Sequence, residues 1–119
     1  MMADILLIDD TKDLVDVLSQ LLEIEGHSVR GATSVSAALS LLNSGYHPHL
    51  IVCDYKLPES NGIELLKQVR KTPALNDVLF VMGSGNSDYR AEALEAGANG
   101  FVSKPYTHKD LYPFLKRFS

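Results

Sequence analysis

Four places in the sequence carry residues suited to phosphoryl chemistry, and each comes at or just past the end of an apolar run. Asp9 and Asp10 end Ile5-Leu6-Leu7-Ile8, and Asp54 ends Leu50-Ile51-Val52-Cys53. Ser84 lies between Gly83 and Gly85 after Val78-Leu79-Phe80-Val81-Met82, and Lys104 comes soon after Phe101-Val102 and directly before Pro105. Three carboxylates gathered at one rim repel one another, and a proton or a cation must offset that. A hard divalent cation with oxygen ligands does so: Mg²⁺ takes one or two carboxylates, keeps several waters and accepts phosphate oxygens. Asp10 and Asp54 can bind it directly, and Asp9 directly or through water. Lys104 adds an ammonium, and Pro105 restricts it to extended backbone. Ser84 offers a hydroxyl on a backbone that a ligand can approach closely. Together these groups can hold a phosphoryl group, and a carboxylate among them can be the nucleophile that forms an aspartyl phosphate. Each residue also has a plain reading: aspartates as helix caps, a solvated loop lysine, a serine in an ordinary turn.

The elements that must position these residues alternate along the whole chain. The apolar runs read as strands covered on both faces, and His27 to Ala32 as a shorter, more polar strand near an edge. Leu14, Val15, Leu18, Leu21 and Leu22 recur at helical spacing up to Gly26. Ser34 or Ser36 can cap a second helix through Leu42. A turn-rich stretch from Tyr55 to Gly62 leads to a third helix carrying Ile63, Leu65, Leu66 and Val69. Ala91 to Ala96 mark a fourth, closed by Gly97, and Thr107 can cap a last one holding Leu111, Tyr112, Phe114 and Leu115. Pro113 falls inside that last helix, where it removes a hydrogen bond and is expected to kink the chain. Regular β-then-α alternation implies a parallel sheet with helices on both faces. With five units the open doubly wound form is expected, and in such sheets ligands sit outside the carboxyl ends of the strands. That is where the aspartates, Ser84 and Lys104 fall.

Composition narrows the function further. The 119 residues are 45% hydrophobic and 22% charged, with net charge −4 and one cysteine. This is an ordinary globular composition for one domain, read here as residues 1–119. It has room for one module and not for a receptor domain with a separate output domain. The single cysteine excludes an internal disulfide and fits a reducing compartment, the cytoplasm. The acidic balance gives no general footprint for nucleic acid, no run has the roughly 20 apolar residues of a membrane span, and the start lacks a signal peptide's basic region. Asp54-Tyr55-Lys56 lacks the second aspartate of an Asp-x-Asp phosphohydrolase. The four histidines show no metal-binding spacing, and Cys53, alternating with Asp54, is expected in the core.

The pieces ILLIDD, IVCDYKLPESNGIELL, VLFVMGSG and AGANGFVSKPY, in that order, resemble the response-regulator receiver domain of two-component signalling, in particular single-domain proteins of the chemotaxis-regulator type. The resemblance spans essentially the whole chain and implies a flavodoxin-like sheet in strand order 2-1-3-4-5. It implies that Asp54 is the phosphoacceptor, charged by a histidine kinase or histidine phosphotransfer protein, and that Asp9, Asp10 and Asp54 hold Mg²⁺ with the backbone carbonyl of Lys56. Ser84 matches the switch hydroxyl, Lys104 the lysine that pairs with the phosphoryl group, and Phe101 the aromatic that turns inward when Ser84 moves. Pro105 resembles the proline often reached through a cis bond that sets the loop geometry. The fourth helix, last strand and last helix are then the face read by a downstream protein, by a fused output domain in a longer chain, or by a second copy on phosphorylation. The implied activity is phosphoryl acceptance with slow self-dephosphorylation, not turnover of a separate substrate. Lys56 and Asn86 occupy positions that tune phosphoryl lifetime in the family. Lys56 either shields the acyl phosphate or is a solvated lysine paired with Glu59. Gly85 replaces a commoner alanine, keeping the pocket open, and with Gly83 it is expected to loosen the loop.

Overall fold

Strands form where apolar residues run without a break, because both faces of the sheet are covered. The computed structural model describes residues 2–116. Its sheet strands, numbered here in chain order, are β1 (Asp4–Ile8), β2 (Ser28–Ala32), β3 (Leu50–Asp54), β4 (Leu79–Ser84) and β5 (Gly100–Ser103). They pair in the order β2-β1-β3-β4-β5, every pair parallel. Alternate residues feed two separate cores. Leu6, Ile8, Ile51, Cys53, Phe80 and Met82 pack on one face with α2 (Val35–Asn43), α3 (Gly62–Lys71) and Ala93 of α4 (Arg90–Glu95). Ile5, Leu7, Leu50, Val52, Leu79, Val81 and Val102 pack on the other with α1 (Lys12–Ile24) and Leu115 of α5 (Tyr112–Leu115). Each large aliphatic side chain so buried contributes about 1.5–3 kcal/mol, which makes the central strands the rigid part of the frame. β2 is mostly exposed, as expected of a polar edge strand. Among the described residues no helix is long and apolar enough to cross a membrane.

Local chemistry sets the helix starts. The Ser34 hydroxyl accepts the N–H of Ala37 and caps α2, so Ser34 rather than Ser36 is the cap. The Asn61 side chain accepts the N–H groups of Ile63 and Glu64 at the start of α3. Arg70 ties the far end of α3 to the sheet, its Nε donating to the Gly97 carbonyl at 3.0 Å and Nη1 to the Val78 carbonyl at 2.8 Å.

Three expectations change. The turn-rich stretch contains a small antiparallel hairpin, Lys56–Leu57 with Ser60–Asn61, whose corner places Glu59 at φ 64°. The last helix is not one kinked rod. Thr107 caps a 3₁₀ turn, His108–Leu111, through a reciprocal capping box with Asp110, and α5 follows with Pro113 in its first turn. A proline costs no hydrogen bond there, because the first N–H groups of a helix have no partner within it. Proline therefore starts a new helix instead of bending an old one. Gly83 does not loosen the loop either: it is a buried residue of β4, paired between Asp54 and Val102.

Gly62 shows how tightly the frame is built beneath the rim. A Cβ there would lie 2.7 Å from the Asp54 backbone oxygen and 2.6 Å from the Met82 sulfur. The sulfur can move but the sheet backbone cannot. Gly62→Ala is expected to destabilise the domain by about 2–3 kcal/mol, read as a lowered urea midpoint at unchanged slope.

Candidate phosphoryl and metal site

The parallel register brings the ends of β1, β3 and β4 to one rim, and the β5–α5 connection delivers Lys104 beside them. One carboxylate oxygen from each of Asp9, Asp10 and Asp54 lies within 4.8 Å of the other two. Asp9 and Asp54 are buried, and Asp10 is exposed. The Lys104 ammonium bridges the first two, donating to Asp9 Oδ2 at 2.7 Å and to Asp54 Oδ2 at 3.0 Å. Residues 95 and 50 positions apart in the chain are joined by these bonds. The Lys104–Pro105 peptide bond is cis.

The electrostatics follow from burial against pairing. Burial pushes the Asp54 carboxyl above the usual carboxylate range, the hydrogen bond from Lys104 pulls it down, and the charges of Asp9 and Asp10 push it up again. The net shift is upward, because one shared ammonium does not offset desolvation plus two like charges. Burial disfavours the Lys104 ammonium, yet its bonds to Asp9 and Asp54 outweigh that and hold it above its ordinary value. The Tyr106 hydroxyl is likewise pushed up, by burial first and then by Asp9 and Asp54.

Two of these groups also make loop bonds. Asp9 Oδ1 accepts the Thr11 N–H at 2.9 Å ahead of α1, whose cap residue Thr11 makes no side-chain cap bond of its own. The Ser84 hydroxyl does belong to a turn, accepting the Asn86 N–H at 3.0 Å. Neither role uses up the group, since a carboxylate has about four acceptor positions and a hydroxyl keeps its proton. Asp9 spends one oxygen on Thr11 and the other on Lys104, whereas Asp10 and Asp54 retain more open positions. The donor set is all hard oxygen with one exposed side for water, and it fits a divalent cation of the Mg²⁺ kind.

The other expected residues fall as follows. Ser84 is 3% exposed at the end of β4. Phe101 is 8% exposed and packs in the core with Phe80, Met82 and Ala93. Cys53 is fully buried on the opposite side from its neighbour's carboxylate, in the core as expected, and burial raises its thiol's pKa. Lys56 is exposed on the hairpin opposite Asn61, and among the described residues no ion pair joins it to Glu59. Asn86 caps the 3₁₀ turn Ser87–Tyr89 through the Asp88 N–H. Gly85 is exposed, with nothing within 4 Å of a Cβ placed on it, so the pocket mouth is open there. The sequence reading missed Tyr55, whose ring stacks on Tyr89 at 3.7 Å between centroids. The one available signal was position, Tyr55 directly after Asp54 and Tyr89 five residues after Ser84.

Comparison with known proteins agrees with this geometry. The family model for the response regulator receiver domain matches residues 5–116. The transcriptional regulatory protein CpxR homolog of Haemophilus influenzae is 36% identical over 115 residues, covering 97% of this chain and 49% of that protein. The chain thus spans about half the length of the curated relatives it matches. Among solved structures, the chemotaxis response regulator CheY4 of Vibrio cholerae superimposes with a TM-score of 0.87 at 25% identity, covering 100% of both chains. A putative response regulator from Chloroflexus aurantiacus gives 0.88 at 28% identity, covering 98% of this chain and 97% of that one. With its sheet order, its acidic rim and these matches in agreement, the chain belongs to the response regulator receiver domains of two-component signalling.

Proposed function

We propose that Asp54 is the residue that accepts the phosphoryl group, from a phosphohistidine on a histidine kinase or phosphotransfer protein. The observation that carries this reading is the Lys104 bridge to Asp9 and Asp54. It places an ammonium where the phosphoryl oxygens would come to lie and leaves Asp54 with a second oxygen free to attack. In the transfer, an Asp54 carboxylate oxygen forms the new O–P bond as the P–N bond to the donor imidazole breaks. The imidazole nitrogen keeps that electron pair and takes a proton from water. Burial serves the nucleophile by stripping water from it, and the hydrogen bond from Lys104 favours its ionised form.

Asp10 and Asp54 would hold Mg²⁺ with the Lys56 backbone carbonyl, and Asp9 would orient its waters or bind directly. When bound, the ion neutralises charge on the transferring phosphoryl oxygens. Lys104 then exchanges part of its carboxylate pairing for a phosphoryl oxygen, and the Ser84 hydroxyl donates to another. The response is a repacked surface around α4, β5 and α5, read by a downstream protein, by an output domain in a longer chain, or by a second copy. Lys56 and Asn86 flank the mouth and set how readily water reaches the acyl phosphate. The reaction is stoichiometric self-modification followed by slow hydrolysis, in a reducing cytoplasm.

The test is incubation with a small acyl-phosphate donor and Mg²⁺, followed by intact-mass measurement. One phosphoryl adduct per chain is expected, and none when the divalent cation is chelated. Turnover of a phosphate ester without an adduct would mean a hydrolase and overturn the reading.

A further inference from the structure

The frame around Asp54 and the loop after Ser84 are joined by a clasp of three side chains, and this clasp lies outside the phosphoryl site. The Tyr55 and Tyr89 rings stack face to face, 3.7 Å between centroids and 8° from parallel. The Tyr55 hydroxyl continues past the stack and donates to Glu92 Oε1 of α4 at 2.9 Å. Both rings are half-buried and Glu92 is exposed. The two ends of the clasp are held differently. Tyr55 belongs to the sheet: its N–H donates to the Gly83 carbonyl at 2.8 Å, and its carbonyl accepts the Gly62 N–H at 2.8 Å. Tyr89 belongs to the loop: its N–H donates to the Asn86 carbonyl at 3.3 Å, and the Asn86 N–H donates to the Ser84 hydroxyl. Residues 84–89 are therefore hydrogen-bonded into one unit that ends in α4.

We infer that the Tyr55–Tyr89–Glu92 clasp is a latch that holds the Ser84 loop and α4 in the position seen here, and so sets how much phosphoryl binding is needed to move them. The inference rests on the reading of Asp54 as phosphoacceptor and Ser84 as switch. If the Ser84 hydroxyl leaves its own turn for a phosphoryl oxygen, residues 85–89 follow it, while Tyr55 stays on the frame. The stack must then slide and the Tyr55–Glu92 bond must lengthen. Phe101 is packed in the core, whereas the loop and α4 are held to the frame by the clasp, so the latch acts on them. A ligand that favours the moved state binds more weakly by the cost of opening the latch. Tyr55, Tyr89 and Glu92 are thus positioning residues, not part of the reacting set.

The experiment titrates beryllium fluoride, a tetrahedral phosphoryl mimic, into the full chain with Mg²⁺ and follows backbone amide resonances of residues 84–95. Three variants are compared with the parent protein: Tyr55→Phe, which keeps the ring and removes only the hydroxyl, Glu92→Gln, and the two combined. An exposed hydrogen bond to a charged group, weakened by solvent, is worth roughly a factor of two to ten. Each single variant is expected to half-saturate at a concentration lower by about that factor, and the double variant no lower than either, because both remove the same bond. Tyr89→Leu, which removes the stack, should shift the midpoint in the same direction. Lowered thermal stability with an unchanged or raised midpoint would mean that the clasp is only packing, and would overturn the latch while leaving the site reading intact. A parent protein that does not respond to beryllium fluoride would overturn the site reading and the latch with it.

Discussion

Asp54→Asn is expected to abolish phosphoryl uptake while making the fold more stable. The chemical half is simple: an amide oxygen is a poor nucleophile towards phosphorus and leaves no stable acyl phosphate. The stability half follows from the electrostatics of the rim. Burial raises the Asp54 pKa in the folded protein, with Asp9 and Asp10 adding to it and Lys104 only partly offsetting them. A carboxyl whose folded pKa lies above its unfolded value binds protons more tightly when folded. Relative to a neutral side chain, its ionised form therefore costs stability at neutral pH. The cost disappears as pH falls through the folded pKa towards the unfolded value near 3.9. Asparagine is therefore expected to raise stability at pH 7, and the gain should vanish near pH 4. Lys104 keeps its shorter bond to Asp9 in this variant, so no new charge is orphaned. Urea denaturation of both proteins at the two pH values checks the sign.

Lys104→Ala is expected to do the opposite to stability and to separate acceptance from response. The substitution removes both charge-assisted bonds to Asp9 and Asp54 and leaves three clustered carboxylates without that ammonium. Breaking a buried pair from one side costs about 3–5 kcal/mol. Lys104 is a quarter exposed, so about 1–3 kcal/mol is the expected loss at neutral pH. Acid should restore part of it, because Asp54 then titrates from a still higher pKa. Divalent cations should bind more tightly, since the ammonium no longer competes for Asp9 Oδ2 and Asp54 Oδ2. The nucleophile is intact, so the mass adduct should still form. The amide shifts of residues 84–95 that accompany phosphorylation should be largely lost, because no cation from the β5–α5 connection follows the phosphoryl group. A full shift in Lys104→Ala would contradict the role given to this lysine.

The parts of the site that the sequence reveals are those fixed by the period of the sheet. Asp9, Asp54 and Ser84 end or directly follow unbroken apolar runs, and in a parallel sheet such runs must be central strands whose carboxyl ends share one rim. Lys104 is reached the same way, one step past β5. What the sequence hides depends on distance and on local alternatives. The Tyr55–Glu92 bond spans 37 positions, and nothing in either residue's neighbourhood marks it. The hairpin after β3 is two residues per strand, too short for any alternation to show. Pro113 reads as a helix breaker until the 3₁₀ turn before it supplies a new helix start. Asp9 accepts both the Thr11 N–H and the Lys104 ammonium, and Ser84 accepts the Asn86 N–H at the rim, so residue type alone does not choose between a structural and a chemical reading.

The central claim is that one carboxylate, Asp54, becomes the acyl phosphate. It is tested most directly by phosphorylating the protein with a small acyl-phosphate donor and Mg²⁺, reducing it with sodium borohydride and sequencing its peptides by mass spectrometry. Borohydride converts an aspartyl phosphate to homoserine with release of phosphate and leaves free carboxylates untouched. The account predicts homoserine at position 54 and at neither position 9 nor position 10. Homoserine at one of those two positions, or phosphate retained on a histidine, would contradict it.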